Sequence, residues 1–198
     1  MSHRNQQLFV AHVKSLFPEM FLGRRVIEVG SLNINGTVRG HFSECEYIGV
    51  DIGPGPGVDI VSYAHDLKYP DGSFDVAVSC EAFEHDRFWS KTFATMCRLS
   101  RSLVVFTCAS TGRMEHGTED HHPETSPYTN NYYKNLCEHD FDSDYIRTTF
   151  SSYQFMNVPP QVYGASETKK RWCLLHGACD RYVQGEDLYF WGVKRLDL

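Results

Sequence analysis

Residues 24–36 read RRVIEVGSLNING. A short β-branched run ends at Gly30, and a polar loop follows it up to Gly36. An apolar run that stops at a glycine is the usual end of a buried strand, because glycine turns sharply and lets a ligand approach the backbone. Glu28 lies inside that run, two residues before the turn. A carboxylate there is costly to bury unless it is hydrogen-bonded. The loop is short of glycine: Ser31, Leu32, Asn33, Ile34 and Asn35 separate the two it has. Asn33 or Asn35 is expected to cap a helix that follows.

Four further runs of the same kind come downstream: EYIGVDI (46–52), VDIV (58–61), FDVAVSC (74–80) and SLVVFTCA (102–109). They are too apolar to keep one face in water, which suits a sheet covered on both sides. Helix-compatible segments lie between them at 36–43, weakly at 62–65, and at 87–100, where Phe88, Trp89, Phe93, Met96, Cys97 and Leu99 share one broad face. Alternation at this spacing predicts an α/β fold with a doubly wound, Rossmann-like and mostly parallel sheet. An N-terminal helix is expected over 6–17, ended by Pro18. A helix around 140–148 and late strands at 153–158 and 187–194 complete seven strands.

Composition narrows the function classes. The 198 residues are 41% hydrophobic with formal net charge -6, which suits one domain and disfavours nucleic acid as the main partner. No apolar run reaches the roughly 20 residues of a membrane span, and the N-terminus lacks the apolar core of a secretory signal. The seven cysteines are odd in number and scattered, so reduced thiols in a cytoplasmic protein are expected. No domain boundary is visible. Residues 1–23 read as a helical cap, 24–110 as the ligand-binding core, 111–135 as an active-site loop, and 136–198 as a closing helix and strands.

Chemistry concentrates at the predicted carboxyl edge. Asp51 ends the second strand, where an acid can accept both hydroxyls of a ribose. Asp66 precedes the turn Pro70-Asp71-Gly72. SCEAFEH (79–85) brings Cys80, Glu81 and His85 to the end of the fourth strand. The polar segment 112–135 follows the fifth strand directly; its His116, Tyr128 and Tyr132 are candidates for contact with a substrate, and a lid is the favoured role. Phe88 and Trp89 read as core rather than substrate wall. Arg39 suits either a carboxylate clamp or a surface charge. No metal site is expected: His121 and His122 are adjacent in a loop, and CLLHGAC (173–179) fits no zinc spacing.

The order VIEVG, YIGVDI, D-L-x-x-P-D-G-S-F-D-V and then E-H resembles the class I S-adenosylmethionine-dependent methyltransferases. It is similar in particular to the small-molecule group that includes the ubiquinone-biosynthesis enzymes. The resemblance spans about residues 24–110, with DLYFWGVK matching the family's antiparallel C-terminal strand. It implies S-adenosyl-L-methionine as cofactor. Glu28, Gly30, Ser31 and Asn33 would lie along the methionine part, Asp51 and Ile52 at the ribose, Asp66 and Leu67 at the adenine, and Cys80 at the methionine moiety. The family pattern E-x-G-x-G-x-G is broken after Gly30.

The expected reaction is methyl transfer to an O or N of a small polar acceptor, with His85 and His116 as candidate bases; the oligomeric state is left open. Two alternatives stand beside it. A non-catalytic member would bind cofactor or a partner without transfer. A nicotinamide-dependent oxidoreductase would want G-x-G-x-x-G to seat a pyrophosphate on a helix N-terminus, and residues 30–36 lack it.

Overall fold

The computed structural model describes residues 4–129, 131–158 and 186–195. All seven expected strands form one sheet: β1 (Arg25–Val29), β2 (Glu46–Asp51), β3 (Ile60–Val61), β4 (Phe74–Cys80), β5 (Ser100–Ala109), β6 (Phe150–Val158) and β7 (Asp187–Lys194). Their order is β3-β2-β1-β4-β5-β7-β6. The pairs β1–β2, β2–β3, β1–β4 and β4–β5 are parallel, while β7 runs antiparallel to both β5 and β6. The order reverses between β1 and β4. Open α/β sheets bind ligands at such a switch point, beyond the carboxyl ends of the strands.

Every residue of β4 is buried, as a central parallel strand demands. One face of the sheet packs under α1 (Arg4–Leu16) through Phe9, Val10 and Val13, joined by Val26, Tyr47, Cys80 and Tyr189. Each of these α1 side chains contributes roughly 1.5–3 kcal/mol by leaving water. Pro18 follows the helix, starting a short 3₁₀ turn. The other face packs Phe83, Phe93, Phe106, Phe141 and Phe190 under α2 (Trp89–Leu99) and α3 (Ser143–Thr149). Asp142 caps α3, its carboxylate accepting from the amides of Asp144 at 2.8 Å and Tyr145 at 3.1 Å.

One expected helix is absent. Residues 36–43 form only a three-residue 3₁₀ turn, Arg39–His41. Gly36 and Gly40 cost helix propensity, and the β-branched Thr37 and Val38 add to the cost. Asn33 therefore caps nothing; its side-chain oxygen accepts from the Gly36 amide at 2.9 Å and closes a local turn instead. The weaker segment at 62–65 likewise shrinks to one turn, Ala64–Asp66. Cys45, Cys80, Cys97, Cys108 and Cys137 are free thiols, whereas the CLLHGAC segment lies outside the described residues. No described helix is long and apolar enough to cross a membrane.

Candidate active site

A cavity of about 340 Å³ opens at the carboxyl ends of β1, β2 and β4, within the range of small-molecule sites. Gly30 forms its floor, with φ +77° and no room for a side chain: a Cβ there would fall 2.4 Å from Cβ of Ala82. Glycine meets both demands, the left-handed backbone and the close approach.

The loop after Gly30 keeps its tight path without glycines of its own because the facing segment, Gly53-Pro54-Gly55-Pro56-Gly57, supplies them. The Asn33 amide donates to the Pro56 carbonyl at 2.8 Å. A Cβ on Gly55 would lie 2.3 Å from Cδ1 of Leu32, and one on Gly57 would lie 2.7 Å from the Ser31 carbonyl oxygen. Residues of the first loop occupy the space that glycines of the second leave open. Asp51 joins the two, accepting from the Leu32 amide at 3.0 Å and from the Gly53 amide at 3.4 Å. A carboxylate has about four acceptor positions, so Asp51 retains capacity for further donors at the cavity, which it lines beside Ile52.

Of the residues singled out from sequence, Gly30, Asp51, Ile52, His85, Tyr128 and Tyr132 line the cavity together. Ser31 is buried and Asp66 is exposed, and neither lines the cavity. Leu67 is core. In their place Ser62, Tyr63 and Ala64 form the wall after β3. Glu28 and Cys80 point to the α1 face of the sheet, away from the cavity. There the Tyr47 hydroxyl donates to Glu28 at 2.8 Å. Burial still pushes the Glu28 carboxyl up to about 7, the hydroxyl bond opposing it. Burial also drives the Cys80 thiol up, so it stays protonated. Arg39 does hold a carboxylate, that of Asp59 at 3.4 Å, while its guanidinium lies 4.8 Å over the Tyr47 ring.

Phe88 and Trp89, which share a core reading in the sequence, separate in the structure. Phe88 lines the cavity, whereas Trp89 packs on Phe141.

The segment after β5, the stretch expected to act as a lid, contributes Thr125 to Thr129 and Tyr132 to the cavity lining. The Tyr128 ring presses on Gly53, where a Cβ would come within 2.0 Å of it, and its hydroxyl donates to the Pro54 carbonyl at 3.2 Å. Arg87 lies 5.6 Å over the Tyr132 ring.

Beneath this lid the end of β4 gathers acids and histidines. Glu81, with φ +54°, lines the cavity. Burial first, and then the charge of Glu84, push its carboxyl up to about 7. Burial does the same to Glu84, and to Asp187, which Arg113 pairs at 3.0 Å. His85 is buried, and desolvation followed by the neighbouring His116 lowers it to about 3, so it is neutral at ordinary pH. Its Nε2 is 4.0 Å from Glu84 Oε1. His116 does not line the cavity; it lies behind His85, ring centroids 4.9 Å apart, with Tyr133 completing the cluster. Burial lowers His116 as well. Sequence reasoning assigns no role to Glu81 or Glu84. An acid directly after a buried strand that ends at the switch point is the signal that marks Glu81.

A family model described as "Methyltransferase domain" matches residues 36–106. No curated protein sequence matches the chain. Among solved structures, the chain is similar to phosphoethanolamine N-methyltransferase 2 of Haemonchus contortus, solved with phosphomonomethylethanolamine and S-adenosylhomocysteine. The TM-score is 0.59 at 19% identity, over 98% of this chain and 53% of that one, so the chain spans about half the length of that enzyme. It is also similar to an S-adenosylmethionine-dependent methyltransferase of Archaeoglobus fulgidus, with TM-score 0.58 and 16% identity over 95% and 94% of the two chains. A third is 1,6-didemethyltoxoflavin-N1-methyltransferase of Burkholderia thailandensis, with TM-score 0.56 and 11% identity over 96% and 77%. Identities this low speak to the fold, and the family model adds the methyltransferase sequence pattern. With its 3-2-1-4-5-7-6 sheet and a cavity at the switch point, the chain has the fold of these S-adenosylmethionine-dependent methyltransferases, and its residues 36–106 carry the methyltransferase-domain pattern.

Proposed function

We propose that the chain moves a methyl group from S-adenosylmethionine to an O or N of a small polar acceptor. The observation that carries this reading is the cavity itself: glycine floor, carboxylate at the second strand end, and a lid closing over both. The residues present fit the cofactor. Gly30 admits close contact with the backbone, and Asp51 offers acceptor capacity for ribose hydroxyls. Val29, Leu32, Ile52 and Phe83 give an apolar lining. No helix of more than one turn follows β1, so the N-terminus that a dinucleotide pyrophosphate needs is missing there. That argues against the nicotinamide alternative.

When bound, the cofactor supplies a methyl carbon on a sulfonium, already an excellent leaving group. The chain's task is then positioning, which supplies up to roughly 7–11 kcal/mol in the best intramolecular cases. Asp51 and Ile52 anchor the ribose end, while Gly30, Ser31 and Asn33 hold the backbone path. Glu28 and Cys80 brace β1 and β4 from below. Asp66 and Leu67 fix the turn that carries Ser62 to Ala64. Tyr128 and Tyr132 exclude water and face the acceptor. A hydroxyl acceptor must lose a proton. His85 has the geometry but is a weak base, and His116 reaches the cavity only through it. Glu81 lines the cavity, and burial raises its carboxyl to about 7, which suits a general base near neutral pH better than the depressed His85.

Calorimetry with S-adenosylhomocysteine tests the reading: binding is expected, and its absence from folded protein overturns it. NADH is expected not to bind. A second reading, a binding member without transfer, draws on Tyr128 lying shut against Gly53. Cofactor binding with no transfer across a panel of hydroxyl and amine acceptors would favour it.

A further inference from the structure

Glu84, His85 and His116 come from two separate parts of the chain, yet one ligand atom from each lies within 4.8 Å of the others. Glu84 is fully buried and His85 is 5% exposed. Neither carboxylate oxygen of Glu84 and neither ring nitrogen of His85 has a hydrogen-bond partner of good geometry among the described residues. Backbone groups of Ala109 and Tyr132 approach Glu84 and His85, and a carboxylate with about four acceptor positions and an imidazole with two ring nitrogens keep capacity for a further partner. The third side chain is already oriented. Nδ1 of His116 lies 3.1 Å from the Met114 carbonyl oxygen, an acceptor only, so Nδ1 carries the proton and Nε2 keeps its lone pair. A backbone carbonyl that fixes the tautomer in this way is the usual support of a metal-binding histidine.

We propose that Glu84, His85 and His116 bind a divalent transition-metal cation beside the cavity. Two imidazoles and one carboxylate suit a borderline ion such as Zn²⁺, Co²⁺ or Fe²⁺ better than Mg²⁺. Such ions hold nitrogen and oxygen ligands at roughly 2.0–2.2 Å, so binding draws the three atoms inward and fills the gap between them. Three protein ligands leave a position open for a substrate or water. His85 is the one ligand of the three that lines the cavity, and we place the open position on its side.

The role of the ion, though not its binding, rests on the methyltransferase reading. An acceptor hydroxyl held there gives its proton to Glu81, which lines the same cavity. Its oxygen forms the new bond to the methyl carbon as the carbon–sulfur bond breaks, the electron pair leaving with sulfur. The ion thus favours an oxygen acceptor. The adjacent His121 and His122 take no part, being exposed on the lid.

Tag-free, chelator-treated full-length protein titrated with Co²⁺ tests the site through the visible d–d absorption of the bound ion. One ion per chain is expected at submillimolar affinity. His116→Ala and Glu84→Gln should each weaken it by at least the roughly 10–100-fold typical of losing only a supporting contact. The double variant His121→Ala/His122→Ala should leave it in place. S-adenosylhomocysteine calorimetry on every variant reports whether the fold and cofactor cavity survive, separating loss of the ion site from failure of the methyltransferase reading. Absence of saturable Co²⁺ absorption in wild-type protein that still binds S-adenosylhomocysteine overturns the proposal. So does affinity unchanged in folded His116→Ala, or lost only in the double lid variant.

Discussion

Glu28 and Glu84 are both buried carboxyls, and burial pushes both up to about 7. Their surroundings differ. Glu28 lies under the sheet, receives the Tyr47 hydroxyl at 2.8 Å, and faces the aromatic core beneath α1. Glu84 lies just after the end of β4, with only backbone groups of its own residue and Ala109 near its carboxylate, against two histidines. A raised carboxyl alone therefore does not mark chemistry. What separates the two acids is the company they keep: a tyrosine hydroxyl that donates to Glu28, against two histidines within ligand reach of Glu84. We read the first as a strut and the second as part of the proposed reacting edge.

The contrast breaks most visibly in catalysis. Glu84→Gln and His116→Ala are each expected to lower the rate of methyl transfer by roughly 10²–10⁴-fold, the range of a lost acid–base or positioning group. Single-turnover assays at saturating cofactor would show it. Rates within a few-fold of wild type would place Glu84 in the same structural class as Glu28.

Glu28 is expected to act on stability instead. Its carboxyl titrates near 4.5 unfolded and about 7 folded. Between those values the unfolded chain releases the proton first, so this group's contribution falls as pH rises from about 4.5 to 7 and is level beyond. Glu28→Gln removes the penalty and leaves Tyr47 an amide oxygen to donate to. The variant should match wild type near pH 4.5 and gain up to about 3 kcal/mol above pH 7, since each tenfold change in proton affinity is worth about 1.4 kcal/mol. Thermal melts at pH 5 and pH 8 read this directly. An equal offset at both pH values would mean that packing, not ionisation, sets the effect.

Asp51 tests the cofactor side of the edge. Asp51→Ala removes acceptors for charged hydrogen bonds, each worth about 1.5–3 kcal/mol, so affinity for S-adenosylhomocysteine should fall roughly 10–100-fold. The same change frees the Leu32 and Gly53 amides, so circular dichroism must accompany the calorimetry. Retained affinity would remove Asp51 from the ribose role.

The sheet was legible in the sequence because central parallel strands are apolar on both faces. FDVAVSC and DLYFWGVK coincide with β4 and β7 residue for residue. The first crossover was not legible. Residues 36–43 carry the apolar spacing of a helix, but Gly36, Thr37, Val38 and Gly40 oppose one, and only Arg39–His41 turns. Strand-end site residues such as Gly30, Asp51 and His85 were readable because topology alone delivers them to one edge. The meeting of His85 with His116 was not, since it depends on how a lid without periodicity folds back across β4. Nor was the exchange of glycines between two loops, visible only once Gly55 and Gly57 are seen to receive Leu32 and Ser31.

The lid gives the smallest and most local test. Tyr128→Phe keeps the ring against Gly53 and deletes only the hydroxyl that donates to the Pro54 carbonyl. One such bond, partly exposed, is worth about 0.5–1.5 kcal/mol, so lid closure should weaken by no more than roughly tenfold. If closure accompanies acceptor binding, KM for the acceptor rises within that range while kcat at saturation moves less. The bond joins the lid to the loop after β2, not to the acids after β4. A kcat loss as large as that of Glu84→Gln would mean that lid position and the Glu84 cluster are coupled, and the edge would then act as one unit rather than as a cofactor half and a chemical half.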